Sequence, residues 1–224
     1  MFKSLPPLHF IMIGVLKRLF QRVLSQLFRQ KSHVKLGLYG PPNSGKTSLA
    51  NRICKDWLGE EMGSASPIPH ETREVMMKEK IHITSGDKEL TFNLLDTPGI
   101  ATKIDYEDFL KHKMSVKEAK ERAKEATRGV IEAIKWLDSM DCVLVVLDAT
   151  LNPYSQVNIT IIGNLAARDI PVLIVANKVD LKKANVKRIE AAFPQYPVVG
   201  VSAEKGTHVD KFYKEVFKLV KARR

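Results

Sequence analysis

Three times between residues 142 and 224 a short run of β-branched and aliphatic residues gives way to a helical pattern. "CVLVVLDA" (142–149) precedes "SQVNITIIGNLAARD", "PVLIVANKVD" (171–180) precedes "KKANVKRIEAAF", and "PVVGVSA" (197–203) precedes "HVDKFYKEVFKLVKARR". Strands so uniformly apolar have no solvated face and must be buried on both sides. A strand returning parallel to its predecessor needs a crossover, which the helices supply. The pattern predicts an α/β fold, a mostly parallel sheet flanked by helices.

The upstream sequence extends this sheet. "HVKLGLY" (33–39) alternates like a strand and runs into a glycine-rich loop, after which "GKTSLANRICKDWL" reads as a helix. Residues 59–69 are polar and read as a loop. "REVMMKEKIHIT" and "KELTFNLLDT" are strand-like and joined by "SGD" (85–87), which predicts a hairpin and a total of six strands. Lys, Glu and Ala dominate residues 106–140. Within them "SVKEAKERAKEA" predicts an exposed helix, with Ser115 and Glu118 as a capping box. No internal repeat, low-complexity tract or second folded domain is evident.

Ahead of the sheet, "VLKRLFQRVLSQLFRQ" from Val15 alternates apolar and polar pairs, with Lys17, Arg18, Arg22 and Arg29 on the polar side. That spacing predicts a basic amphipathic helix. It has three uses: lying on an anionic membrane surface, docking in a partner's groove, or folding back on its own domain. Expected domain limits are an arm at 1–32 and a single folded domain at 33–224. Net charge is +11, yet no Asp or Glu precedes Asp56 while ten Lys or Arg do, so the excess is concentrated there. Such asymmetry suggests an acidic partner, nucleic acid or lipid; the alternative is a solvated arm. The N-terminal apolar run "FIMIGVL" (10–16) is far short of the roughly 20 residues a membrane span needs. Basic charge following that run, without a small-residue cleavage site, argues against a signal peptide. Cys54 and Cys142 lie far apart and make neither a metal spacing nor a disulfide framework, which suits a reducing compartment. An intracellular, cytoplasmic location is therefore expected.

"YGPPNSGKT" (39–47) places Gly40, four residues, then Gly45, Lys46 and Thr47 between a predicted strand and a predicted helix. This is the Walker A pattern. Its glycines allow the backbone to wrap so that N–H groups point at phosphate oxygens, with Ser44 inside the stretch and Ser48 directly after it. Lys46 would reach the β- and γ-phosphates, and Thr47 would ligate Mg²⁺ through its hydroxyl. The loop alone does not separate ATP from GTP. "LLDTPG" (94–99) ends a strand with Asp96, a carboxylate suited to Mg²⁺; "VANKVD" (175–180) and "VSAEKG" (201–206) end two more. All lie at the carboxyl edge of the predicted sheet, where open α/β sheets bind ligands. The Asp180 carboxylate can accept both N1–H and the 2-amino N–H of guanine; adenine offers no such pair.

"GPPNSGKT", "DTPG", "NKVD" and "SAEKG", in this order, resemble the translation-factor-related P-loop GTPases over about residues 33–224, and the details resemble the Era-like members. The resemblance implies GTP and GDP as ligands with Mg²⁺, and GTP hydrolysis. It implies that Asn177 supports the base, Lys178 lies over it, and the backbone of Ser202 and Ala203 meets O6. The Gly99 backbone would sense the γ-phosphate. "SPIPHETREV" (66–75) resembles the first switch segment, in which Thr72 would meet Mg²⁺ and γ-phosphate; Thr84 and Thr91 lie inside predicted strands instead.

Many small GTPases orient the attacking water with a glutamine after "DTxG"; here Ile100 follows, as in Era and its relatives. Several of those carry an asparagine matching Asn43, whose oxygen helps bind K⁺ beside the β/γ-phosphates. A catalytic set of Lys46, Thr72 and Asn43 follows from the resemblance, with slow, K⁺-stimulated turnover. The alternative for Asn43 is a turn residue bonding its own backbone. Era continues into an RNA-binding KH domain with a Gly-x-x-Gly loop; no such loop follows here, so RNA binding is not carried over with the motifs. The stretch from Gly99 to Asp141 exceeds what switch II and one helix need, and reads either as a longer surface helix or as an effector-contacting element. Three roles stay open: a factor in ribosome assembly or tRNA processes, a membrane-surface switch anchored through residues 10–31, and an interaction module with negligible turnover.

Overall fold

The computed structural model describes residues 34–59, 62, 74–85, 88–101, 104–112 and 114–222. Both the basic amphipathic segment and Thr72 lie outside the described residues. Six strands form one sheet in the order β2-β3-β1-β4-β5-β6: β1 (Val34–Tyr39), β2 (Met76–Ser85), β3 (Lys88–Asp96), β4 (Cys142–Asp148), β5 (Val172–Asn177) and β6 (Val198–Gly200). The β2/β3 pair is antiparallel, as the "SGD" turn predicts, and every other pair is parallel.

Side-chain alternation divides the core into two layers. Leu36, Leu38, Leu144, Val146, Leu173 and Val175 face one way, against Leu49 and Ile53 of α1 (Lys46–Leu58) and Phe212 of α6 (Val209–Ala222). Tyr39, Val143, Val145, Val172 and Ile174 face the other, against α3 (Val116–Leu137), α4 (Gln156–Ala166) and α5 (Val186–Ala192). Helices on both faces explain why the parallel strands carry no polar stripe.

Local signals set the helix boundaries, with some departures from expectation. The Ser115–Glu118 capping box forms: the Ser115 N–H donates to Glu118 Oε2 (2.9 Å), and the Glu118 N–H to Ser115 Oγ (3.3 Å). The helix it starts is less exposed than predicted. Its first half buries Ala119 and Ala126 with Phe109 of the short α2 (Tyr106–Leu110), a cluster separate from both main layers. Ala119, Ala123 and Ala126, small residues on one face of the helix, let α2 approach closely, which composition alone does not reveal. Helix α5 begins at Val186 rather than at "KKAN", because turns at Leu181 and Ala184 precede an Asn185 side chain that caps the Arg188 N–H. Strand β6 is only three residues long; beyond it the chain turns into the loop described below.

Candidate nucleotide-binding site

β1 delivers the chain to the Gly40–Gly45 loop, and α1 carries it away. The loop is unusual backbone: Asn43 is left-handed at φ 58° and exposed, and Gly45 is left-handed at φ 91°. Gly45 has a second reason to be glycine, since a Cβ would lie 2.2 Å from Asn177 Nδ2. That amide donates to the Ser44 carbonyl (2.9 Å), while Asn177 Oδ1 accepts the Ala203 N–H (3.0 Å). One buried asparagine at the end of β5 therefore joins the phosphate loop to the "SAEKG" loop.

Lys46 opens α1 and is 6% exposed. Its ammonium donates to the Pro41 carbonyl across the loop (2.9 Å). Burial lowers its pKa to about 8, opposed by the negative charge of Asp96. The adjacent Thr47 hydroxyl donates to Asp96 Oδ2 (2.7 Å). Asp96 is fully buried and its other oxygen, Oδ1, has no protein partner among the described residues. Burial raises its pKa; the Thr47 hydrogen bond and the Lys46 charge act against the rise. Ser44 Oγ is a second buried polar atom without a partner. Unsatisfied buried oxygens cost free energy unless a ligand completes them. A carboxylate oxygen and two hydroxyls around a buried ammonium suit Mg²⁺ and phosphate. Ser48 sits one residue further on in the first turn of α1.

The "DTPG" segment closes over this loop. Thr97 Oγ1 donates to the Leu38 carbonyl (2.6 Å), and the Ile100 N–H to the Gly40 carbonyl (3.1 Å). Gly99 packs so tightly on the loop that a Cβ would lie 2.7 Å from Pro42 Cα, so only glycine fits. Ile100 is buried in the core at 4% exposure, with no polar group to direct a water.

At the other end, Lys178 adopts φ 66° and its Nζ donates to Asp148 Oδ2 (2.6 Å). Burial would raise the Asp148 pKa, but hydrogen bonds from Lys178 and Thr150 outweigh it and hold the group below the ordinary range. Asp148, at the end of β4, pairs in register with Asn177. It was not singled out in the sequence, although a carboxylate ending the strand beside "NKVD" was available as a signal. Asp180 is exposed beyond the turn. The two amides expected to face guanine O6 are engaged within the protein: Ser202 N–H donates to the Thr207 carbonyl (3.1 Å) and Ala203 N–H to Asn177. A base oxygen would have to share or displace those bonds. The structure thus gathers Gly40, Asn43, Ser44, Gly45, Lys46, Thr47, Ser48, Asp96 and Gly99 at one end, and Asn177, Lys178, Asp180, Ser202 and Ala203 at the other.

The family described as 50S ribosome-binding GTPase matches residues 35–178. The chain is 30% identical over 199 residues to GTPase Der of Clostridium acetobutylicum, covering 84% of this chain and 40% of Der. It is 32% identical over 190 residues to the tRNA modification GTPase MnmE of Aquifex aeolicus, covering 84% of this chain and 35% of that protein. It is 31% identical over 192 residues to GTPase Era of Geotalea uraniireducens, covering 84% and 55%. The chain therefore spans between about a third and just over half the length of these relatives. Among solved structures, Aquifex aeolicus Era bound to GDP and AlF4⁻ superposes with a TM-score of 0.64 at 23% identity, covering 84% of this chain and 57% of that one. Era in complex with MgGDPNP and a segment of 16S ribosomal RNA gives 0.65 at 23% identity, covering 85% and 57%. These two share the fold. With the family match extending over more than half the chain and taking in the phosphate loop, "DTPG" and the start of "NKVD", the chain belongs to the family described as 50S ribosome-binding GTPases.

Proposed function

We propose that this chain binds GTP and hydrolyses it to GDP and phosphate, acting as a switch in RNA- or ribosome-related processes. The observation that supports it best is the Asn177 bridge, which holds the phosphate loop and the base loop in one rigid frame. The buried Lys46 ammonium lies against the β- and γ-phosphates, and the loop amides wrap them. Thr47 and Asp96, with Thr72 from outside the described residues, would hold Mg²⁺, which supplies positive charge against the phosphate oxygens. Lys178 flanks the base and Asp180 accepts its N1–H and 2-amino group. Gly99, seated on the phosphate loop, moves when a γ-phosphate arrives, and passes that change to the region of α2 and α3 where an effector docks.

Turnover is slow, because buried Ile100 cannot orient water. Asn43 offers a neutral oxygen at the exposed crown of the loop, a ligand type suited to K⁺. Phosphate release should be several-fold faster in KCl than in NaCl, with Asn43→Ala removing the difference. Equal rates in the two salts would refute the K⁺ role, and calorimetric heat with ATP but none with GTP would refute the whole reading.

The RNA role is supported by the family and by the concentration of positive charge before Asp56. A second reading is a peripheral membrane switch, favoured by the amphipathic spacing of residues 10–31. No helix among the described residues is long and apolar enough to cross a membrane. We place the protein in the cytoplasm, with an arm at 1–32 and a GTPase domain at 33–224. Vesicle flotation of full-length protein and of a form starting at His33 decides between the roles: lipid binding lost on truncation supports the anchor, and RNA binding without lipid binding supports the first reading.

A further inference from the structure

The loop after β6 spends its backbone donors in a particular way. The N–H groups of Ser202, Ala203, Lys205 and Gly206 go to the Thr207 carbonyl, Asn177 Oδ1, Ser202 Oγ and the Ser202 carbonyl. Among the described residues no protein acceptor takes the Glu204 N–H, which leaves one loop donor open. The carbonyl oxygens are also held. Arg52, on α1, donates from Nε to the Ala203 carbonyl (3.1 Å) and from Nη2 to the Glu204 carbonyl (3.0 Å). Its guanidinium is oriented in turn by Asp56 (3.7 Å), which accepts the Tyr213 hydroxyl of α6 (2.7 Å). Trp57 stacks on the Tyr213 ring, with centroids 5.1 Å apart.

The Ala203 carbonyl and the Glu204 N–H belong to one peptide unit. No cis bond occurs among the described residues, so the C=O and N–H bonds of this unit point in opposite directions. Fixing the carbonyl against α1 aims the N–H away from α1. A cation on the carbonyl also polarises the unit and strengthens the N–H as a donor. We propose that Arg52 is a positioning residue for base selection: it orients the Ala203–Glu204 peptide so that the Glu204 N–H meets the 6-oxo group of guanine. The inference rests on the guanine reading above. It assigns recognition of the 6-position to an amide outside the "SA" pair and makes that recognition depend on the helix that follows the phosphate loop.

The test is competition binding of the full chain with three triphosphates. GTP carries the 6-oxo and 2-amino groups, ITP keeps the 6-oxo group alone, and 2,6-diaminopurine riboside triphosphate replaces the 6-oxo group by an amine. Arg52→Met should lower the preference for GTP over the diaminopurine nucleotide about tenfold, the scale of a lost charge-assisted hydrogen bond. The preference for GTP over ITP, which reads Asp180, should stay as it is. Tyr213→Phe should shift the first preference in the same direction by less, and Arg52→Lys should restore part of it. An unchanged first preference in Arg52→Met, or both preferences falling in step, overturns the proposal. Wild-type protein that does not prefer GTP to ATP overturns the guanine reading itself, and the proposal with it.

Discussion

Lys46→Met raises the thermal stability of the nucleotide-free protein while lowering its affinity for GTP about a hundredfold or more. The two effects have one cause. Burial holds the Lys46 pKa at about 8, against 10.5 in the unfolded chain. A shift of that size corresponds to about 3 kcal/mol of destabilisation at neutral pH. Methionine removes this cost but leaves the Pro41 carbonyl without its donor, worth about 1 kcal/mol. A net gain of about 2 kcal/mol, or several degrees in Tm, is expected for a domain of this size. The pH dependence has a definite sign. Below pH 8 the lysine is charged in both states and the cost is complete. Between pH 8 and 10.5 the unfolded chain binds the proton and the folded one releases it, so wild-type stability rises and the gap to the variant closes. The affinity loss reflects a buried ammonium that no longer meets phosphate. Melting curves at pH 7 and pH 10, with GTP titrations, read both effects; a variant less stable than wild type at pH 7 contradicts the account.

Asp180→Asn moves the preference from GTP to XTP by about a thousandfold. On the proposed reading the carboxylate would accept two hydrogen bonds from guanine, each charge-assisted and worth about 1.5–3 kcal/mol. The amide presents one acceptor and one donor, which suits N1–H with the 2-oxo group of xanthine. Because Asp180 is exposed past the end of β5, the fold should tolerate the change, and stability should move by less than about 0.5 kcal/mol. Direct competition between the two nucleotides measures the swing. Retained preference for GTP would remove Asp180 from base recognition.

The features legible in the sequence were those carried by short contiguous stretches. Strand runs, the glycines of residues 40–45, the Ser115–Glu118 cap and the "SGD" hairpin each state their geometry within a few residues. The contacts that make a site from those stretches are of another kind. Lys178 meets Asp148 across 30 residues, and Arg52 meets Ala203 across 151. Neither pair has a spacing to read, and an arginine on a helix face looks like any solvated charge. The same limit explains why "SVKEAKERAKEA" read as an exposed surface: its alanines declare a contact only once α2 is known to lie against them. The amides of Ser202 and Ala203 illustrate it again, since backbone donors carry no mark in the sequence of what has already claimed them.

At about 1.5 Å per residue, α3 is a rod about 33 Å long. Its first half is gripped by Phe109 from the segment that follows "DTPG", and its second half anchors Ala133 and Leu137 in the main core. The Ala133 carbonyl accepts the hydroxyl of Tyr39, the residue immediately before Gly40. One continuous helix thus ties the Phe109 cluster to the residue that leads into the Gly40–Gly45 loop. Under the proposed GTP switch, a partner docked on the outer end would act on nucleotide residence time through that rod.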